Sequence, residues 1–310
     1  MKNTLFGRSI ISISDLSTDD INLILDTAEK IKKKPHPDLL RGLVLSSCFF
    51  EPSTRTRLSF EAAALKLGAG VIGFTDDKST SAAKGETLSD AIRVIAGYAD
   101  AIVLRHHQDG SARLASDVSH KPVINAGDGA NQHPSQTLLD LFSIRECQGK
   151  LDGLNIAFVG DLKYGRTTHS LTQALCNYKT RFFFVSPENL MMPNHICEHI
   201  KKSRNKFSCH LDVSEVVKKV DILYMTRIQK ERFAEDELRE MSKHYVLKSD
   251  MLKGVKENMN VLHPLPRVKE IDVEVDDTPH AYYFQQAENG VHVRQAMLAL
   301  LLKNSPFAKD

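Results

Sequence analysis

The stretch "LVLSSCFFEPSTRTRLSFEAA", residues 43–63, joins two patterns of different period. Residues 43–50 form a β-rich run that stops before Pro52. After it, Leu58, Ala62 and Leu65 recur at i, i+4 and i+7, Ser53 stands at the N-cap, and Gly68 stands where a helix would end. A strand feeding a helix through a short turn is half of a parallel α/β unit. The predicted helix opens with Ser53, Thr54, Arg55, Thr56 and Arg57. A first helical turn, with unpaired N–H groups and partial positive charge, favours acidic residues instead. An anion held by those N–H groups, two hydroxyls and a guanidinium would make the misplaced cations a binding site, most simply for phosphate. The alternative is a plain solvated helix start.

The same rhythm continues outward. The runs VIGF, AIVL and PVIN follow in the first half, then NIAFVG, RFFFV, DILYM and NVLHPLP in the second. They predict an α/β chain of two domains, each a parallel sheet flanked by helices. Between them "QTLLDLFSIREC" carries Leu138, Leu141 and Phe142 on one stripe and ends near Gly149, which makes it a helix bridging the domains. The apolar "VHVRQAMLALLLK" near the C-terminus is expected to pack back onto a core. The expected division is therefore residues 1–135 with 291–310, and residues 136–290. Ligands of such sheets bind beyond the C-terminal strand ends, so the residues after each strand carry the functional signal.

Composition narrows the classes. A chain of 310 residues with 42% apolar content can fill two cores of about 150 residues each. Forty-one basic against 39 acidic residues give a formal charge of +2, without the basic blocks of a nucleic-acid binder. No apolar run approaches the roughly 18 residues of a membrane span. Five cysteines, irregularly spaced, and an N-terminus without a signal-like apolar run point to a reducing cytoplasm.

Several polar groups follow strands. Arg105, His106 and His107 come after AIVL, and "NAGDGANQHPSQTLLD" places His133 and Gln136 at the entry to the bridging helix. A His there serves as readily for a cap as for a catalyst, and Gly127 and Gly129 alone would be turn residues. "NIAFVGDLKYGRTTHS" comes within one residue of a Walker A pattern, but with Arg166 where that motif needs Lys. A planar guanidinium suits a carboxylate better. Arg227 is a second candidate carboxylate clamp and Gln229 an adaptable amide, while Lys230, Glu231 and Arg232 read as a solvated run. In "VLHPLPR", two prolines around Leu265 fix the backbone, either as a rigid turn or to aim carbonyl groups into a site. His195, Cys197, His199, Cys209 and His210 match no zinc spacing, and neither a G-x-S-x-G elbow nor a distinguished Cys nucleophile is present. A phosphate cradle in one half, Arg clamps in the other, and a His and an Arg able to polarise a carbonyl indicate group transfer between a phosphate-bearing and a carboxylate-bearing substrate.

Taken together and in order, "STRTRLSFE", "KGETL", "LRHHQDG", "NAGDGANQHPSQTLLDLF", "GDLKYGRTTHS", "TRIQKER" and "HPLPR" resemble the aspartate carbamoyltransferase family, specifically the catalytic chain of its bacterial type. The resemblance runs nearly end to end. It implies transfer of a carbamoyl group from carbamoyl phosphate to the amine of L-aspartate, a step of pyrimidine biosynthesis, with no metal or organic cofactor. By resemblance Ser53, Thr54, Arg55 and Thr56 bind the phosphate, and Arg105, His133 and Gln136 hold the carbamoyl end. Arg166, Arg227 and Gln229 would grip the aspartate carboxylates. The carbonyls of Leu265 and Pro266, joined through a cis peptide, would orient the amine. Arg55, Thr56, Lys84, Arg105 and His133 are the residues implied to act in catalysis.

The family is a homotrimer with shared sites, in which a loop from the neighbouring subunit brings in a Lys and a Ser, matched here by Lys84 and Ser81. The resemblance also admits a separate regulatory chain and allosteric control. Two departures stand out: the stretch between Phe74 and Lys84 is one residue shorter than the family pattern, and His107 replaces a Pro. Ornithine carbamoyltransferase shares S-T-R-T-R and H-P-x-Q, but usually reads His-Cys-Leu-Pro where this chain has His263, Pro264, Leu265 and Pro266. A non-catalytic scaffold member is the remaining alternative.

Overall fold

The computed structural model describes residues 3–76, 80–227 and 245–307. The chain divides into two compact units, residues 1–142 with 288–310 and residues 143–287. The division falls inside two helices, α5 (Pro134–Gln148) and α8 (Tyr283–Leu302), each of which contributes to both units. The sequence reading placed these boundaries at 135 and 291, near the starts of the two apolar patterns. The contact division falls later than 135 in α5, where Leu138, Leu139, Leu141 and Phe142 are all buried, and slightly earlier than 291 in α8.

Unit 1 holds a parallel sheet of β1 (Val44–Phe49), β2 (Gly70–Phe74), β3 (Ala101–His106) and β4 (Val123–Asp128), in the order β2-β1-β3-β4. Helices α1 (Thr18–Lys33), α2 (Thr54–Lys66), α3 (Leu88–Ala96) and α4 (Ser111–Val118) belong to the same unit. β1, β3 and β4 are almost wholly buried, as strands covered on both faces are. The termini are tied together, with Gly7 N–H bonded to Leu301 C=O at 3.0 Å and the Asn3 amide to Leu300 C=O at 2.7 Å. Burial of Val293 and of residues 296–301 explains why so apolar a C-terminal stretch folds back.

Leu58 and Leu65, expected on the core stripe of α2, are exposed. The buried face carries Thr56, Phe60, Ala63 and Ala64 at i, i+4, i+7 and i+8. Two alanines let the helix lie close to the sheet, while Phe60 alone supplies the bulk, so the largest apolar residues were a poor guide to the face.

Unit 2 holds β5 (Leu154–Val159), β6 (Thr180–Val185), β7 (Lys206–His210), β8 (Ile222–Met225) and β9 (Asn260–Leu262), all parallel, in the order β7-β6-β5-β8-β9. Its helices include α6 (Arg166–Leu175) and α7 (Asn194–Lys202). β7 was not foreseen, because an edge strand reading Lys-Phe-Ser-Cys-His buries too little to show an apolar run. In both sheets the chain order reverses beside the first strand, between β1 and β3 and between β5 and β8. Such switch points leave a crevice at the C-terminal strand ends.

Candidate active site

In unit 1 the polar groups singled out from the sequence follow three adjacent strands. Residues 53–56 follow β1, Arg105 stands one residue before the end of β3, and His133 follows β4. At α2, Ser53 takes the N-cap backbone position, yet its side chain caps nothing and the first turn carries no acidic residue. The N–H groups of Thr54, Arg55 and Thr56 have no intrahelical acceptor. Of the two arginines, Arg57 is engaged one turn on, 3.1 Å from Glu61 Oε1. Arg55 is exposed and makes no hydrogen bond or ion pair among the described residues. Burial, and then the charge of Arg105, push its guanidinium below the ordinary value. Two cations that repel each other beside free N–H groups make a site for an anion.

Arg105 is largely buried. Burial lowers its guanidinium, while the Glu51 carboxylate pulls the other way. Its Nε lies 2.7 Å from Glu51 Oε1 but makes no well-aligned hydrogen bond; the contact is an ion pair. Nη1 donates to Ala126 C=O at 3.3 Å. Glu51 had no role in the sequence reading, because its pairing joins the ends of two strands far apart in sequence.

His133 is buried, and its carbonyl accepts the N–H groups of Gln136 and Thr137, starting α5. Its Nδ1 stands 3.3 Å from the Ser135 hydroxyl. When that hydroxyl donates, the neutral ring carries its proton on Nε2, the donor that a developing oxyanion requires. Gln136 donates to Asp140 Oδ1 at 2.9 Å. His106 turns inward instead, its Nδ1 accepting from Gln108 N–H at 3.0 Å, with the Ser111 hydroxyl 2.9 Å away. It serves the loop, and His107 stacks on it at 4.3 Å.

Lys84 ends a short 3-10 turn, Ser81–Lys84, and is exposed without a hydrogen bond or ion pair among the described residues. Ser81 lines a cavity of about 520 Å³ with Phe50, Phe74, Leu88, His106 and His107, none of them part of the phosphate cradle. None of residues 53–56 lines that cavity. Cys48, on β1, is buried, and that burial pushes its thiol up to about 11.

In unit 2 the candidates again follow adjacent strands: Arg166 after β5, Arg227 after β8, Leu265 and Pro266 after β9. Gly160, at φ +118°, lets the β5 end pass Thr226, whose carbonyl oxygen would lie 2.5 Å from any Cβ there. Thr226 in turn gives both its N–H and its hydroxyl to Val159 C=O, each at 2.8 Å. The loops bearing Arg166 and Arg227 are thus fixed against each other. Arg166 opens α6, and Arg227 is exposed; Gln229 lies outside the described residues.

The Leu265–Pro266 peptide is cis, with Leu265 at φ +53°. Leu265 N–H donates to His263 Nδ1 at 2.7 Å, and His263 Nε2 meets Glu270 Oε1 at 2.8 Å. Burial alone would raise Glu270, but the His263 hydrogen bond and backbone N–H groups outweigh it and hold the carboxyl at about 2. Beyond Pro266, Arg267 is paired with Asp276 and Tyr283. Among the described residues no group of three or more His, Cys, Asp or Glu could hold a metal ion, and no helix is long and apolar enough to cross a membrane.

Comparison with known proteins places both halves of the chain in one family. Residues 8–146 match the family described as Aspartate/ornithine carbamoyltransferase, carbamoyl-P binding domain, and residues 152–301 match its Asp/Orn binding domain. The chain is 58% identical over 308 residues, 98% of its length and 100% of the relative's, to the aspartate carbamoyltransferase catalytic subunit of Vibrio campbellii. Among solved structures, it resembles the catalytic subunit of M. jannaschii aspartate transcarbamoylase with a TM-score of 0.90 and 50% identity, covering 94% of this chain and 96% of that one. It also resembles the Trypanosoma cruzi enzyme in complex with N-(phosphonacetyl)-L-aspartic acid, with a TM-score of 0.91 and 38% identity over 97% and 98% of the two chains. With both of its halves matched and its site residues following the same strand ends in each sheet, the chain belongs to the aspartate/ornithine carbamoyltransferase family.

Proposed function

We propose that the chain transfers the carbamoyl group of carbamoyl phosphate to the amine of L-aspartate, giving N-carbamoyl-L-aspartate and phosphate for pyrimidine synthesis. The observation that carries this reading is Arg55, without a carboxylate partner among the described residues, at an acid-free helix start and within electrostatic range of Arg105. Residues 53–56 bind the phosphate, whose charge offsets that repulsion. The neutral amine attacks the carbamoyl carbon, a C–N bond forms, and the carbonyl oxygen becomes negative. Arg105 and His133 donate to that oxygen, and Gln136 holds the carbamoyl amide. As the tetrahedral intermediate collapses, the C–O bond to phosphate breaks, phosphate leaves with the electron pair, and the amine nitrogen loses its proton.

Arg166, Arg227 and Gln229 bind the aspartate carboxylates, and the Leu265 and Pro266 carbonyls orient the amine. Two guanidinium groups favour a dicarboxylate over the cationic side chain of ornithine. Carbamoyl phosphate thus belongs to unit 1 and aspartate to unit 2.

The working assembly is a homotrimer in the cytoplasm, with Lys84 and Ser81 of each chain acting in the neighbour's site. Lys84 supports this by having no hydrogen bond or ion pair among the described residues, and exposed Leu58, Leu65, Val94 and Tyr98 are apolar surface of unit 1 that subunit contact would cover. A separate regulatory chain is a further partner consistent with the resemblance. Phosphate release with carbamoyl phosphate and a panel of amines tests the reading: aspartate should support turnover, and ornithine should not.

A further inference from the structure

Asp128 ends β4 and is 1% exposed. Its Oδ1 accepts the Asn125 amide at 2.8 Å and Gln132 N–H at 3.2 Å, and its Oδ2 accepts Gly110 N–H at 2.9 Å and the Asn131 amide at 3.1 Å. All four donors are neutral, and no Lys or Arg pairs with it among the described residues. Burying a carboxylate in this way is costly unless every acceptor site is used. An asparagine would be cheaper to bury but has one acceptor oxygen instead of two. The charged form is what can close all four bonds at once.

Those bonds reach both groups that polarise the carbonyl. Along β3 and β4, Leu104 pairs with Asn125 but His106 pairs with Asp128, so Ala126 and Gly127 together face Arg105 in a bulge. Arg105 rests on that bulge through Ala126 C=O. The bulge is braced by Gly127 N–H to Asn125 Oδ1 at 2.8 Å, and Asn125 is itself held by Asp128. On the other side, Asp128 closes the turn that leads into His133. Its N–H donates to Gln132 C=O at 3.3 Å, and its C=O accepts Asn131 N–H at 3.0 Å. Gly129, at φ +50°, packs so tightly in this turn that a Cβ would fall 1.8 Å from Asp109 Oδ1.

We infer that Asp128 is a positioning residue for the reaction, setting Arg105 and His133 at a fixed separation by bonding the bulge beneath one and the turn before the other. This rests on the roles given to Arg105 and His133 above. The phosphate cradle stands on β1 and α2 and makes no hydrogen bond with Asp128.

The test is Asp128→Asn, with sites counted by titration with N-(phosphonacetyl)-L-aspartate. Turnover per titrated site should fall by roughly ten- to a hundredfold, while inorganic phosphate affinity stays within about threefold of the parent. A merely structural role would lower the number of sites and leave each at parental turnover, and that result, or an equal loss of phosphate affinity, overturns the inference. Should Asp128→Asn yield no titratable sites, Asn131→Ala decides. Its exposed side chain supplies one of the four bonds, so a fall of about two- to fivefold in turnover per site supports the inference, and parental turnover overturns it. Failure of the parent chain to carbamoylate aspartate would remove the reading beneath, and the inference with it.

Discussion

Nε of Arg105 stands 2.7 Å from Oε1 of Glu51, so the guanidinium assigned to the carbonyl oxygen is held by a carboxylate at the end of the neighbouring strand. That carboxylate also lowers the positive potential into which phosphate must enter. Glu51→Gln should therefore tighten inorganic phosphate binding by roughly two- to tenfold, most at low salt. Phosphate inhibition constants across an ionic-strength series check this. Weaker phosphate binding would mean that Glu51 acts mainly by orienting Arg105.

Arg227 lies on the loop tied to β5 through Thr226, and is assigned to an aspartate carboxylate. Arg227→Ala should raise the KM for aspartate far more than that for carbamoyl phosphate, by an amount on the order of 2–5 kcal/mol in binding free energy. Steady-state kinetics with each substrate varied in turn measures the difference. Equal losses for both substrates would remove Arg227 from the aspartate site.

Glu270 supports Leu265 through His263, and its carboxyl is held at about 2 against an ordinary 4.5. A depressed carboxyl contributes stability that is fully present above the unfolded value and is lost as pH falls through the folded one. The stability difference between the parent and Glu270→Gln should thus be constant above about pH 5, on the order of 3 kcal/mol, and shrink between 4.5 and 2. Denaturant unfolding of both chains over that pH range reads it directly. A difference that grows on acidification would contradict the assignment.

Lys84 is assigned to the neighbour's site. Chains carrying Lys84→Ala and chains carrying Arg105→Ala should each be inactive alone and recover activity when mixed and reassembled. In a mixed trimer one junction regains every group, giving about one native site per trimer under cyclic symmetry. Absence of recovery, with hybrid trimers confirmed by native mass measurement, would place Lys84 in its own chain's site or make it dispensable.

The fold was legible where strands are buried on both faces. VLSSCF, AIVLRH and LNIAFV declare themselves as apolar runs, and the anomalous cations after β1 pointed to the candidate anion site. Legibility failed where neighbours decide. The face of α2 depends on the sheet it meets, so Leu58 and Leu65 misled. β7 lies at an edge with none of its five side chains fully buried and shows no run. Glu51 and Asp128 meet Arg105 and Gly110 from a different strand or loop, and Glu270 meets His263 seven residues away, so no local pattern announces these carboxylates. His106 and His107 looked equivalent in sequence, yet His106 is consumed by its own loop.

The central claim is that the amine of L-aspartate, and not that of ornithine, receives the carbamoyl group. Incubation of the chain with carbamoyl phosphate labelled with carbon-13 at the carbonyl, in the presence of equal aspartate and ornithine, followed by carbon-13 NMR of the products, tests it in one sample. A single enzyme-dependent ureido signal is expected, that of N-carbamoyl-L-aspartate, appearing in step with phosphate. A dominant citrulline signal, or phosphate release with no carbamoylated aspartate, would contradict it.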